Sequence, residues 1–309
     1  MSPTAGDGAR TAARCAAYRL FSRLFAREVT PDLLPMLADL PELGDALADP
    51  FDADEAAADH QRLFGLQVPP WAGVFLDPEG RIGGDAAALM RDIYARSGYE
   101  LDERSEEADH LSHALALLAE LGDDPLAAET LDRGVLPWLP WLVEAVERLG
   151  GPFHRALAEL TLELTLDHRA SLPEPPPPAS PPALEADPLA DEGAGLRRIA
   201  EFLVTPARSG LYLARQDVRR LAAADGLPTG FGGRADTLDT LLRTAAEYGA
   251  LARTVAGLLE LLAAGRAACA ALERTGVSGT EGPVALRRAR LEQTERTLRR
   301  LGEAAAATT

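Results

Sequence analysis

The sequence predicts an all-α protein, and three observations carry that expectation. Leu and Ala dominate, aromatic residues make up only 5%, and Val, Ile and Thr are sparse. Ala and Leu lose little conformational freedom in a helix, whereas strands favour β-branched and aromatic residues. Apolar residues recur at helical spacing, as in Ala17, Leu20, Phe21, Leu24 and Phe25, which share one face. Finally, Pro31, Pro41 and Pro152 stand where helices start, and Gly122 and Gly150 where they stop.

Taken in order, helices are predicted near residues 9–27, 31–39, 54–64, 84–96, 106–121, 124–132, 136–149 and 153–170. Residues 68–84 (VPPWAGVFLDPEGRIGG) have paired prolines, several glycines and little periodicity, and read as a structured loop. Residues 171–192 (SLPEPPPPASPPALEADPLADE) are too rich in proline for a regular hydrogen-bond ladder. An extended, semi-rigid linker is expected there, separating residues 1–170 from residues 193–309. Beyond it, helices are predicted near 193–204, 215–224, 236–274 with a bend at Gly249, and 284–301. The short connections between them imply a bundle.

Charge is uneven along the chain. Residues 1–192 carry 14 Arg against 36 acids, a net −22, whereas residues 193–309 carry 17 Arg against 12 acids, a net +5. An acidic surface repels nucleic acid and anionic membranes and attracts cationic partners at long range. Any partner of the first part is therefore expected to be basic.

Several chemistries are excluded by what is missing. The chain has no Lys, which rules out Schiff-base catalysis and the P-loop pattern. It also lacks Gly-x-Ser-x-Gly, His-Glu-x-x-His and a dinucleotide fingerprint. Cys15 and Cys269 match neither a disulfide framework nor zinc spacing, and each reads as a small buried apolar residue of a protein kept in a reducing compartment. Glu107 and His110 form one Glu-x-x-His, with His113 a turn on, but di-iron bundles need a second such motif. No metal and no cofactor is expected. Arg10, Arg14, Arg19, Arg23 and Arg27 interrupt any leader-like apolar run, and no stretch approaches the roughly 20 uncharged apolar residues of a membrane span. A cytoplasmic protein is expected.

Two stretches carry a family resemblance. The first is Arg62-Leu63-Phe64, then Val68-Pro69-Pro70-Trp71 and Val74-Phe75-Leu76-Asp77; the second is Glu107-Ala108-Asp109-His110-Leu111, leading into Leu115, Leu118 and Leu121. In order and separation they resemble the signature of the TorD/NarJ/DmsD family of redox-enzyme maturation chaperones, over about residues 10–170. A C-terminal run from Thr205 to Leu213, with Gly230-Phe231-Gly232, is similar to an extension found in some members. Two positions depart from the family pattern: Ala72-Gly73 stands where many relatives have Glu-Ser, and Ala108 replaces a usual Pro.

The resemblance implies a TorD-like multi-helix bundle with a helical C-terminal extension, and a chaperone rather than an enzyme. The implied partner is the twin-arginine signal peptide and apo form of a molybdoenzyme catalytic subunit, held back from export until its cofactor is inserted. Pro70, Trp71, Phe75, Asp77, Glu107, Asp109 and His110 are the peptide-binding residues this implies. Trp71 and Phe75 would offer apolar contact, Asp77 and Asp109 would pair with arginines, and His110 would hydrogen-bond within the pocket. Relatives that exchange helices between subunits leave a homodimer open.

Each residue also has a purely structural reading: Trp71 as a loop anchor, Asp109 as a first-turn helix acid, His110 as a core-edge histidine. One rival function comes from another class. Residues 216–228 superficially resemble a helix-turn piece, and Arg287, Arg288, Arg290, Arg299 and Arg300 could touch phosphates in a helical transcription regulator. The dilution of that patch by Glu292 and Glu295, and the acidity of the first part, weigh against it.

Overall fold

A computed structural model of the chain describes residues 5–101, 106–174, 188–189 and 195–308. Every regular element among them is helical. The chain forms two units. The first comprises Met1–Asp77, Arg81–Pro177 and Val277–Thr280, and the second Pro78–Gly80, Pro178–Gly276 and Glu281–Thr309. The predicted linker lies largely outside the described residues.

The first unit contains α1 (Ala5–Ala26), α2 (Leu34–Ala38), α3 (Pro41–Gly44), α4 (Ala53–His60), α5 (Ala72–Leu76) and α6 (Gly84–Ser97). It continues with α7 (Leu111–Leu121), α8 (Pro125–Glu129), α9 (Leu139–Leu149) and α10 (Pro152–Ser171). The face expected of α1 is the one buried, with Leu20, Phe21, Leu24 and Phe25 in the core and packed toward α7. Ser22 Oγ on α1 donates to the Ser112 carbonyl at 2.7 Å, fixing the pair in register.

Five of the predicted elements differ from the structure. The helix predicted at 54–64 is α4 followed by a wider π-type turn over Gln61–Gln67, and that predicted at 124–132 is α8 followed by another over Thr130–Val135. The 68–84 loop encloses the short helix α5. The helix predicted from residue 106 begins only at Leu111, because the backbone before it is bonded to another segment. The long helix predicted at 236–274 is two, separated at Gly249, whose φ of +68° lies where L side chains are strained.

The second unit contains α11 (Leu196–Leu203), α12 (Pro206–Ser209), α13 (Arg215–Ala224), α14 (Arg234–Glu247), α15 (Leu251–Thr275) and α16 (Glu281–Thr308). α15 packs along α16, and α11 packs on α14. By length and composition α15 is long and apolar enough to cross a membrane, although Arg253, Glu260, Arg266 and Glu273 interrupt it, so it holds no run of about 20 uncharged apolar residues. Within the unit it lies against α16, to which Arg266 is tied by an ion pair with Glu295.

The arginines offered as a phosphate-binding patch are occupied otherwise. Arg287 is buried and donates to the Gly210 carbonyl at 3.2 Å. Arg288 pairs with Glu273 at 2.8 Å and Arg299 with Glu295 at 2.7 Å. Cys269 is buried as expected of a small apolar residue, while Cys15 is only half-buried.

Candidate functional site

The two motif stretches, some forty residues apart in sequence, meet along a backbone seam. Paired prolines hold residues 68–70 extended, since neither can donate a helical hydrogen bond. This leaves Trp71 in β conformation (φ −112°, ψ 134°) facing His110 in an isolated antiparallel bridge. The Ala72 N–H donates to the Asp109 carbonyl at 3.0 Å, and the Leu111 N–H donates to the Pro70 carbonyl at 2.9 Å. Glu107–His110 form a turn that sets Asp109 and His110 into this seam, and α7 begins only at Leu111.

Asp109 is therefore not a first-turn helix acid. Its side chain is buried, and Oδ2 accepts from the Gly73 N–H at 2.8 Å and lies 3.4 Å from the Gly83 N–H. Burial raises its carboxyl above the usual range, and the two amides oppose that rise. Its other oxygen, Oδ1, is buried and has no partner among the described residues.

His110 is the N-cap of α7. Its Nδ1 accepts from the Ser112 N–H at 3.2 Å and sits 2.6 Å from Ser112 Oγ, so the ring proton resides on Nε2. Burial, with His113 and His60 nearby, pushes the imidazole down to about 3. His110 is thus a neutral, inward-facing cap at neutral pH. Trp71 stands edge-on to it with ring centres 4.9 Å apart, half-buried, and its Nε1 is buried with no partner among the described residues.

The remaining predicted residues separate. Pro70 is buried and serves the seam through its carbonyl. Phe75 is fully buried, stacked on Trp138 at 5.4 Å, so it supports the seam from beneath and offers no surface; this corrects its expected contact role. Asp77 receives the Arg81 N–H at 3.3 Å and an Arg81 ion pair at 3.7 Å. Glu107 is exposed and pairs with Arg91 at 2.7 Å. The structure brings Pro70, Trp71, Asp109 and His110 together and sends Phe75 to the core.

Two histidines escaped the sequence reading. His60 at the end of α4 and His154 at the start of α10 have ring centres 6.3 Å apart, each edge-on to Phe64. Burial pushes His154 down to about 4 and lowers His60 as well. No spacing in the sequence signals two residues so far apart meeting.

Similarity to known proteins agrees with this geometry. Residues 31–144 match the family described as nitrate reductase delta subunit. The chain is 30% identical over 187 residues to the chaperone protein TorD of Shewanella loihica, covering 48% of this chain and 88% of that protein. It is 28% identical over 206 residues to the TorD chaperone of Psychrobacter sp., covering 53% of this chain and 93% of that protein. It is 33% identical over 115 residues to the Tat proofreading chaperone DmsD of Salmonella typhi, covering 34% of this chain but only 56% of that protein. The chain thus spans little more than half the length of this DmsD relative.

An all-helical unit closed by this seam, with these likenesses, defines the class of helical chaperones. The chain belongs to the TorD/NarJ/DmsD family of redox-enzyme maturation chaperones.

Proposed function

We propose that this protein is a cytoplasmic chaperone of a molybdoenzyme catalytic subunit. It binds the subunit's twin-arginine signal peptide and delays export until the cofactor has been inserted. The observation that carries this reading is the pair of unsatisfied buried groups at the seam, the acceptor Asp109 Oδ1 and the donor Trp71 Nε1. A buried polar atom left without a partner costs free energy, and an incoming ligand that supplies the missing bond recovers it. A guanidinium offers several N–H donors suited to a carboxylate, and the half-open Trp71 ring offers an apolar face to the helix-prone part of a leader. The net −22 carried by residues 1–192 attracts such a cationic segment before contact.

Glu107 and Asp77 flank the seam and add negative field rather than direct contact. Phe75 and Pro70 hold its shape. The test is isothermal titration of the full chain with a synthetic leader of a molybdoenzyme subunit from the same genome, against a scrambled peptide of equal charge. Saturable binding of the leader, far tighter than that of the scramble, is expected. Equal binding of the two, or none at low ionic strength, overturns the reading.

A further inference from the structure

Away from the seam, the first unit holds a cavity of about 360 Å³ between residues 45–52, α4 and the start of α10. That falls within the roughly 300–1,000 Å³ of ordinary ligand pockets. Leu24, Val29, Phe51 and Phe153 give it an apolar floor and wall, of which Leu24, Val29 and Phe153 are buried. Four carboxylates, Asp45, Asp52, Glu55 and Asp59, stand around it, and among the described residues no arginine lines it.

These acids are not equivalent. Asp52 caps α4, accepting from the Asp54 N–H at 2.9 Å and the Glu55 N–H at 3.1 Å, and Asp59 pairs with Arg62. Asp45 and Glu55 are exposed, and among the described residues their carboxylates have neither hydrogen bond nor ion pair. The back wall is His60 and His154. The His60 Nε2 is buried and has no hydrogen-bond partner among the described residues. The α10 N-terminus also reaches the cavity, and its dipole on its own would suit an anion. Pro152 at its first position has no N–H to give, and the carboxylate rim repels an anion.

We infer that this cavity is a second subsite for the client peptide and takes the side chain of an arginine. The aliphatic stem lies on Leu24, Val29 and Phe153, and the guanidinium faces Asp45 and Glu55 at the mouth. Long cationic side chains bury their stems and keep the charged head at the rim, which is the arrangement of apolar and acidic groups found here. The inference rests on the chaperone reading and adds where one peptide residue docks.

The test titrates a fluorescein-labelled leader peptide into the full chain, the double variant Asp45→Asn/Glu55→Gln, and Ala56→Trp. Ala56 lines the cavity, so a Trp there fills it without changing charge. Both variants should retain wild-type helix content by circular dichroism and bind the leader about tenfold more weakly or worse. A leader with its arginines replaced by Gln should bind wild type and variants alike. If the wild type binds no leader, the chaperone reading itself fails. If the wild type binds but both variants bind equally well, the subsite is wrong. Loss in the charge variant alone, abolished by salt, shows a long-range field and also overturns the subsite.

Discussion

The Tyr18 hydroxyl lies 3.0 Å from His168 Nδ1, and the other ring nitrogen of His168 lies 3.0 Å from the Gly122 carbonyl. A carbonyl only accepts, so Nε2 carries the proton and Nδ1 accepts from the tyrosine. This chain of bonds joins α1, α10 and the end of α7 through a neutral imidazole that burial pushes down to about 4.

A pH dependence of stability follows. Burial holds His154 and His168 both near 4 in the folded state, against about 6.5 for an exposed imidazole. Below about 6.5 the unfolded chain takes up protons that the folded chain refuses, so stability falls as pH drops from about 6.5 to about 4 and these two groups add nothing further below that. Each contributes up to about 3 kcal/mol over that window. Urea denaturation at pH 7, 6, 5 and 4 should show the decline, and His154→Gln should make it shallower. An unchanged slope in that variant would show that His154 is not held neutral.

Asp109 anchors the seam before it meets any ligand. Asp109→Ala removes the acceptor for the Gly73 amide and the one facing Gly83. A cost of about 1–3 kcal/mol for each stranded amide is expected. Asp109→Asn keeps an oxygen in place and should lose less. Thermal melts of both variants check this, and an Asp109→Ala protein as stable as wild type would remove the anchoring role.

Trp71 and Phe75 should part company when truncated. Phe75→Ala opens a cavity beneath Trp138 and should cost about 3–5 kcal/mol of stability. Trp71 is half-buried, so Trp71→Ala should cost less stability and show instead as weaker leader binding. Denaturation and titration on the same two proteins separate the roles. Equal stability losses with equal binding losses would refute the division.

Arg169 is almost fully buried and donates to Asp132 at 2.6 Å and to the Pro173 carbonyl at 3.0 Å. Removing one partner of a buried pair leaves an uncompensated charge, which costs about 3–5 kcal/mol. Asp132→Ala should therefore melt well below wild type, and the double variant Asp132→Ala/Arg169→Met should recover part of the loss.

Much of the helical framework was legible because its signals are local. α13 spans Arg215–Ala224, the ten residues predicted, and α10 runs over Pro152–Ser171 behind its initial proline. The start of α7 was not legible, since Asp109 looks like a first-turn acid until the amides of Gly73 and Gly83 are seen to claim it. Trp71 and Phe75 are both aromatic and four residues apart, and only the packing of Trp138 decides which one is sunk. His60 and His154 meet through the docking of α4 and α10, and the cavity beside them draws on Asp45, which carries no motif at all.

The seam between residues 70–72 and 109–111 is sewn by two main-chain hydrogen bonds, with the Asp109 carboxylate pinning the Gly73 amide beside them. The two main-chain bonds ask nothing of the side chains at Ala72 and Leu111, whose N–H groups donate them. The seam also makes the intervening stretch a closed excursion. The excursion carries α6, whose buried Ala87, Met90, Ile93 and Tyr94 belong to the core, so closing the seam also fixes where that helix starts and returns.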